Sequence, residues 1–257
     1  MEQRFVFNEV ADIYDRARPG YPQAVFDDVM ALAGVSPGDA ALEIGCGTGK
    51  ATEDFARRGL HVVALEPGPE MIGAARRRLS GFANISLVET TFETWPAEPA
   101  AFKLVAAAQS WHWVAPQVRF IKAAEALAPG GALAVFGNAP VGLPSPLRTA
   151  LERLHESHAP HLAGPLPENW YLPSGPIAGL FVESQRFGPV THKAYAWSRT
   201  QDASSYLDLL RSTSRYQILD APIREALLEA IADAIEAHGG RFDLAYETHL
   251  YLARRRD

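Results

Sequence analysis

The chain has 257 residues, of which 47% are hydrophobic, and its formal net charge is -6. That hydrophobic content suffices for a buried core, and the negative charge argues against a surface that neutralises nucleic-acid phosphates. The single cysteine, Cys46, excludes an internal disulfide, and no apolar run approaches the ~20 residues that span a bilayer. Without an apolar leader, these features predict a soluble, cytoplasmic protein with no membrane or nucleic-acid partner and leave its oligomeric state open.

The N-terminal segment, to about residue 21, mixes aromatic and charged side chains without a sustained core period. This pattern predicts a cap rather than a core element. Pro22 then favours a helix start, and the helical spacing of Val25, Phe26 and Val29 predicts a helix that packs on a sheet and ends at Gly34.

A glycine-rich loop follows the first apolar run, which ends at Ile44. Gly45, Gly47 and Gly49 are spaced as G-x-G-x-G between a predicted strand and a predicted helix. Because glycine has no Cβ and accepts positive φ, such a loop lets a nucleotide-like ligand lie against backbone N–H groups. The dinucleotide fingerprint G-x-G-x-x-G would need a third glycine where Lys50 stands.

The second predicted strand, over residues 60–65, ends in Glu66. An acidic residue about 20 positions beyond a glycine loop can accept hydrogen bonds from both hydroxyls of a ribose. Glu66 therefore becomes the candidate ribose-binding residue, and the alternative is a solvated charge at a strand end.

Three further strands are predicted over residues 85–88, 102–108 and 132–136, alternating with helices. Five strands alternating with helices predict a doubly wound parallel sheet. Residues of about 140–189 are dense in proline and glycine and predict a helical insertion over the functional edge. Later patterns predict a sixth strand over 190–198, a short helix over 202–214, a long helix ending at Gly239, and a last strand over 244–252 inserted antiparallel between its neighbours.

Together these motifs resemble the class I S-adenosylmethionine-dependent methyltransferases. The resemblance rests on residues 42–49 at the loop, Glu66, residues 102–105 of the fourth strand and residues 127–131 before the fifth. It implies a Rossmann-like, mostly parallel seven-stranded sheet with the last strand antiparallel, in a single domain over residues 1–257 with a helical cap. Residues 14–22 and 109–113 also look like the small-molecule branch that includes trans-aconitate methyltransferase-like enzymes.

The resemblance implies a cofactor site for S-adenosyl-L-methionine. The glycine loop would lie against the methionyl part, Glu66 would hold the ribose diol, and Phe92 would stack on adenine or offer it a backbone N–H. Thr91 stands where the family often has an acidic residue, which puts one adenine contact in doubt, and Lys103 replaces a common aspartate. The full predicted set is Glu43, Gly45, Gly47, Gly49, Glu66, Thr91, Phe92 and Gln109.

The acceptor of such an enzyme would be a small organic molecule methylated on an oxygen or nitrogen atom, with a carboxylate as one candidate. We predict a substrate pocket lined by Tyr14, Arg18, Tyr21, Trp111 and Trp113. His112 is the candidate general base, and the alternative is a histidine that forms pocket wall between two tryptophans. A carboxylate acceptor would need no base, whereas a phenol or amine could use one.

Two other functions stay open at this point. A non-catalytic S-adenosylmethionine-binding regulator would keep the same loop, and a nicotinamide dehydrogenase is disfavoured by Lys50 and by the turn over residues 127–131. The histidines at 155, 158 and 161 lack cysteine or acidic companions at ligand spacing, so we predict no metal site.

Overall fold

A computed structural model describes residues 11–162 and 166–256. Residues 1–10 of the predicted cap and 163–165 of the predicted insertion lie outside these ranges. The strands are β1 (Ala40–Ile44), β2 (His61–Glu66), β3 (Ile85–Glu89), β4 (Phe102–Ala108), β5 (Leu127–Gly142), β6 (Thr191–Asp202) and β7 (Arg241–Arg254). The helices are α1 (Ala11–Ala17), α2 (Gln23–Ala33), α3 (Lys50–Arg57), α4 (Pro69–Arg78), α5 (Pro116–Ala126), α6 (Ser145–His158), α7 (Ile177–Ser184), α8 (Ala203–Arg211), α9 (Ser214–Gln217) and α10 (Ala221–Ala237).

The strands form one seven-stranded sheet in the order β3-β2-β1-β4-β5-β7-β6. Strand β1 pairs in parallel with β2 and β4, β2 with β3, and β4 with β5. The predicted doubly wound parallel sheet is thus confirmed. The strand order reverses direction between β1 and β4, and ligands of such sheets bind at the carboxyl ends of the strands at this switch point.

Strand β7 lies between β5 and β6 and is antiparallel, as predicted. Cross-strand pairs between β6 and β7 show the direction. His192 stacks on His249, Trp197 stacks on Tyr246, and Thr200 Oγ1 donates to Asp243 Oδ1 at 2.7 Å. Residue numbers therefore rise along β6 as they fall along β7, which only an antiparallel pair produces.

Two predicted boundaries differ from the structure. The predicted turn over residues 127–131 belongs to β5, because Leu127 already pairs with Phe102 before the register shifts to Leu104 with Ala132. Gly130 has φ 73° within the irregular stretch between these pairs. Helix α7 also lies in the insertion, where the spacing of Leu147, Leu151 and Leu154 predicts one helix, now seen as α6.

The chain divides into two compact units. The sheet unit comprises residues 20–139, 168–195 and 248–256, and the helical unit comprises residues 11–19, 140–162 with 166–167, and 196–247. The predicted insertion is thus divided between them at residue 167. The single domain with its cap and insertion stays a prediction.

The sheet unit has a core on each face of the sheet. On one face an aromatic cluster forms around Phe26 of α2, whose ring meets Phe55 of α3 edge to face at 5.1 Å and Phe136 of β5 at 5.8 Å. On the other face Phe120 of α5 packs edge to face on Phe181 of α7 at 5.2 Å. Edge-to-face pairs place the positive ring edge on a negative ring face, so these contacts add to the burial of apolar area.

The helical unit has its own core. Helix α10 buries Leu227, Ile231 and Ile235 along one stripe, in one cluster with Leu147 and Leu151 of α6. A spacing of four residues places these side chains on one face of α10, which explains why this helix could be predicted from the sequence. None of the described helices is long and apolar enough to cross a membrane.

Replacing Phe26 by Ala should destabilise the protein by about 3–5 kcal/mol, because the fully buried ring leaves a cavity between α2, α3 and β5. Chemical denaturation measures this free energy of unfolding. Val182 of α7, at 72% exposed, provides the control, and Val182→Ala should change the free energy by less than about 0.5 kcal/mol. Equal losses for both variants would contradict the assignment of Phe26 to the core.

Candidate active site

The glycine loop joins β1 to α3 at the switch point of the sheet. Gly45, Gly47 and Gly49 all have positive φ, at 67°, 57° and 84°. At Gly45 the loop also passes close to the end of β4, since a Cβ there would lie 2.7 Å from the Cβ of Ser110. The Ser110 hydroxyl in turn donates to the Ile44 carbonyl. Both backbone conformation and space therefore require glycine at position 45.

Glu66, at the carboxyl end of β2, reaches the loop. Its Oε2 accepts from the Gly47 N–H at 2.9 Å, and its Oε1 accepts from the Gly68 N–H at 2.9 Å. Burial raises the pKa of the Glu66 carboxyl, and the two N–H donors oppose that rise. Each carboxylate oxygen has a second lone pair, so the group can accept further hydrogen bonds from a ligand.

Glu43 lies in β1 directly before the loop and is completely buried. Its Oε2 accepts from the Thr52 hydroxyl at 2.6 Å. Burial is the main cause that raises the pKa of the Glu43 carboxyl to about 7, and the Thr52 hydrogen bond opposes it. Through this hydrogen bond Glu43 joins β1 to α3, the two elements that the loop connects.

Gln109 follows β4 and is linked by hydrogen bonds to β5 and, through Asn138, to β7. It has φ 60°, which is uncommon outside glycine, and its amide exchanges two hydrogen bonds with the backbone of Asn138, at 2.7 Å and 3.3 Å. The Asn138 side chain donates to the Gly20 carbonyl and accepts from the Thr248 hydroxyl at 2.6 Å. We name Gln109, Asn138 and Thr248 the amide network.

The sequence analysis missed Asn138 and Thr248. Asn138 could have been found, because it sits near the carboxyl end of the fifth strand, where residues meet the switch point. Thr248 gave no such signal, since nothing in a strand sequence shows which residues of another strand it will face.

Thr91 and Phe92 lie after β3, in the positions predicted for adenine contacts. The Thr91 hydroxyl accepts from the Thr94 N–H at 3.2 Å and bonds the Thr94 hydroxyl at 2.8 Å, which closes a short turn. The Phe92 ring is buried in the core, with the Lys122 ammonium 5.4 Å from its centre. A buried ring cannot stack on adenine, so that version of the prediction is wrong and the backbone N–H alternative remains.

His112 lies in a short 3-10 helix, Trp111–Trp113, between β4 and α5. Its Nδ1 lies 3.1 Å from the Tyr171 hydroxyl, and its ring lies 4.7 Å from Trp113 and 6.1 Å from Trp170. Tyr171 is buried against β5, where a Cβ on Gly137 would come within 2.6 Å of its ring. The absent side chain at Gly137 therefore makes room for the partner of His112.

Trp111 does not line a pocket. Its side chain is 0% exposed and packs edge to face on Phe120 at 5.2 Å. A side chain without accessible surface cannot touch a substrate, so the prediction for Trp111 is corrected to a core role.

Trp113 and His112 are partly exposed, and Tyr21 is partly exposed with its ring 5.0 Å from Phe136. Trp111 and Trp113 differ in exposure because a 3-10 helix has a period of three residues, so residues two apart do not share one side.

Tyr14 and Arg18 belong to the helical unit. The Arg18 guanidinium lies 5.6 Å from the centre of the Tyr14 ring, and its Nη2 donates to the Ser212 carbonyl at 3.4 Å. Both side chains are partly exposed. Their place in a substrate pocket stays a prediction.

Two of the three clustered histidines of the insertion, His155 and His158, are engaged with protein atoms. His155 Nδ1 lies 2.7 Å from the Leu151 carbonyl and its Nε2 lies 2.6 Å from the Tyr216 hydroxyl. His158 Nδ1 lies 3.0 Å from the Leu154 carbonyl. Among the described residues, no group of three or more histidine, cysteine or acidic side chains is arranged to hold a metal ion.

A mostly parallel sheet with this strand order, a glycine loop after β1 and an acidic side chain at the end of β2 are the features of a Rossmann-like fold. Residues 41–131 match a sequence model described as a methyltransferase domain. An uncharacterized methyltransferase of Mycobacterium bovis is 28% identical over 240 residues, which cover 90% of this chain and 86% of that protein.

Solved structures of methyltransferases share the fold. A proposed type II methyltransferase of Anaeromyxobacter dehalogenans superposes with a TM-score of 0.65 at 20% identity, covering 93% of this chain and 97% of that one. Phosphoethanolamine N-methyltransferase 2 of Haemonchus contortus, solved with S-adenosyl-L-methionine, gives a TM-score of 0.58 at 15% identity, covering 97% of this chain and 57% of that one. Residues 41–131 of this chain thus match a methyltransferase domain, and the fold is the one that these methyltransferase structures share, as the motifs predicted.

Replacing Glu43 by Gln should stabilise the protein increasingly as the pH rises from 5 to 8. The folded-state pKa is raised from 4.5 to about 7, so the neutral form favours folding at low pH and ionisation costs stability as the pH passes through this range. At about 1.4 kcal/mol per pKa unit, the full cost is about 3 kcal/mol. Urea unfolding of both proteins at several pH values measures it, and a difference that does not vary with pH would contradict the shift.

Proposed function

We propose that this chain transfers a methyl group from S-adenosyl-L-methionine to an oxygen or nitrogen atom of a small organic molecule. The observation that carries the proposal is the cradle that Glu66 and the glycine loop form at the switch point. Relatives named as methyltransferases support the reaction class. The solved Haemonchus contortus enzyme, which binds S-adenosyl-L-methionine, supports the cofactor.

The residues of the cradle fit this cofactor. Because glycine has no Cβ, the loop can adopt positive φ at Gly45 and Gly47 and turn its backbone toward a ligand at the switch point. The second lone pairs of the Glu66 carboxylate match the two hydroxyls of a ribose. The Phe92 backbone N–H is the group proposed to contact adenine, and Gln109 would border the methionyl end beside Gly45 and Ser110.

When bound, the cofactor supplies a methyl group on a positively charged sulfur, which is already activated for transfer. The chain then has to orient the acceptor and exclude water, and alignment of two bound reactants can lower a barrier by about 7–11 kcal/mol. The amide network assists by fixing the end of β4, from which Gln109 and His112 project. A rigid strand end would keep Gln109 and His112 at a fixed distance from the cradle.

His112 is the proposed base for an acceptor that must lose a proton. In the tautomer with its proton on Nδ1, the imidazole donates to the Tyr171 hydroxyl at 3.1 Å, and Nε2 is then the basic nitrogen. The ring is flanked by Trp113 and Trp170, whose flat surfaces suit a planar or apolar acceptor body. A carboxylate acceptor would use this site for orientation alone.

Glu66→Ala should weaken binding of S-adenosyl-L-methionine by about 1.5–3 kcal/mol, the scale of hydrogen bonds to a charged group. Isothermal titration calorimetry measures the dissociation constant. The control is Glu89→Ala, because Glu89 pairs with Glu66 in register on β3 but is exposed. An unchanged constant for the Glu66 variant would remove this residue from the site, and failure of the native protein to bind the cofactor would refute the proposed function.

His112→Gln should reduce methyl transfer at least tenfold, about 1.4 kcal/mol in the barrier, while cofactor affinity and melting temperature stay nearly unchanged. The acceptor can be found by mass spectrometry of a metabolite extract incubated with the protein and isotopically labelled cofactor. Tyr171→Phe should shift the pH profile of transfer, because it removes the hydrogen-bond partner of Nδ1. Exposed His61, at the amino end of β2, supplies the control His61→Gln. If stability falls and transfer per folded molecule is intact, His112 is structural.

A further inference from the structure

Arg119 is a buried cation without a counter-ion in the part of the chain that the structure describes. The residue is 4% exposed, and its guanidinium forms no salt bridge or hydrogen bond with the described residues. Its Nε is completely shielded from solvent. Burial lowers the pKa of the Arg119 guanidinium, although arginine keeps its charge at any physiological pH.

Two aromatic rings hold the guanidinium in place. It lies 5.3 Å from the centre of the Trp170 ring and 5.6 Å from that of Phe120. The Trp170 ring in turn lies 6.1 Å from the His112 ring. Because Trp170 contacts both groups, Arg119 belongs to the same cluster as the proposed base.

The backbone that carries Trp170 is closely packed. A Cβ on Gly175 would lie 2.4 Å from the Trp170 carbonyl oxygen, so the chain turns back directly against this residue. The Gly175 N–H donates to the Leu172 carbonyl at 2.8 Å and closes the turn. The indole is therefore presented to Arg119 from a compact segment.

The surroundings of Arg119 favour an anion. Residue 119 stands in the first turns of α5, where the helix dipole is positive and an added cation is unfavourable. The carboxylate of Glu93, at this helix end, accepts from the Ala115 N–H at 2.9 Å. Lys122, three residues on, adds a second positive charge and donates to the carbonyls of Glu93 and Trp95.

A buried charge without a partner costs stability, and cation–π contacts offset only part of that cost. Proteins keep such costs at positions where function uses them. The Arg119 guanidinium needs an anion and stacks on the Trp170 ring, which also flanks His112. This arrangement is suited to binding an anionic group of a ligand.

We propose that Arg119 binds an anionic group of the methyl acceptor, a carboxylate or a phosphate, with Trp170 orienting the guanidinium. This inference rests on the proposed function and specifies its substrate class. The planar guanidinium can donate two parallel hydrogen bonds to two oxygens of either group.

The anchored group is not the atom that is methylated. Hydrogen bonds from a guanidinium withdraw electron density from a carboxylate or phosphate oxygen and make it a poorer nucleophile. The acceptor therefore carries two functional groups, an anion held by Arg119 and an oxygen or nitrogen nucleophile near His112. Arg119 is in this sense a residue that determines specificity.

The test measures binding of small probes to the full chain with S-adenosylhomocysteine present. Benzoate and phenyl phosphate carry the two candidate anions on a flat body, and benzamide is the neutral match for benzoate. Calorimetric titration should show that one of the anions binds at least tenfold more tightly than benzamide, and which anion binds distinguishes carboxylate from phosphate. Arg119→Gln should lose that preference at least tenfold. Arg186→Gln, at an exposed position of the same unit, removes the same charge and should keep it.

Stability separates a binding role from a structural one. If Arg119 serves a ligand, Arg119→Gln should melt no lower than the native protein in the absence of probes, because a buried unpaired charge is removed. If this variant does not fold, Arg119→Lys keeps the charge but not the two-pronged geometry, and it should bind the anionic probe at least threefold more weakly. Equal probe binding by native and substituted proteins, or no preference for an anion over benzamide, would overturn the proposal.

Cofactor binding by the same samples keeps the two proposals apart. Native protein that binds S-adenosylhomocysteine but no anionic probe refutes the anion subsite and leaves the methyltransferase proposal intact. Native protein that binds no cofactor refutes the proposed function itself.

Discussion

The hydrogen bond from the Gly47 N–H to the Glu66 carboxylate joins the two parts of the cradle. One partner belongs to the loop after β1 and the other to the end of β2, so the bond fixes the distance between the proposed methionyl and ribose contacts. The carboxylate can form it because burial favours its interaction with backbone donors over water, although the same burial makes the charge costly. Residues around it follow from this arrangement. Glycine is required at 45 because Ser110 approaches, and Glu43 is buried in the strand that leads into the loop.

The amide network performs the same task on the other side of the switch point. Gln109 and Asn138 exchange hydrogen bonds between side chain and backbone beyond the paired ends of β4 and β5, where the ladder no longer satisfies these groups. Thr248 adds β7 to the network. The network thus lets Gln109 keep a left-handed conformation, whose local cost is repaid by two hydrogen bonds, and it directs the chain into the short helix that carries His112.

The loop, Glu66 and the alternating strands could be predicted because each depends on short-range chemistry. The signals are glycines at one strand end, a carboxylate at the next strand end, and apolar residues that recur every two or four positions. Each signal lies within one stretch of sequence. The contacts of Tyr171 with His112 and of Trp170 with Arg119 could not be predicted, since they join segments about 50–60 positions apart and depend on how Gly137 and Gly175 let the backbone approach. Trp111 was misplaced for a related reason, because its side depended on a 3-10 helix that the residues 111–113 did not signal.

The insertion of β7 between β5 and β6 also governs the order in which the sheet can be completed. Strand β5 ends at Gly142 and its neighbour β7 begins at Arg241, so the edge of β5 has no partner until nearly a hundred further residues have been synthesised. At about 5–20 residues per second, this interval lasts several seconds. An unpaired edge of a hydrophobic strand invites pairing with other chains during that time. The nascent protein should therefore be most prone to aggregation after β5 has emerged from the ribosome and before β7 has followed.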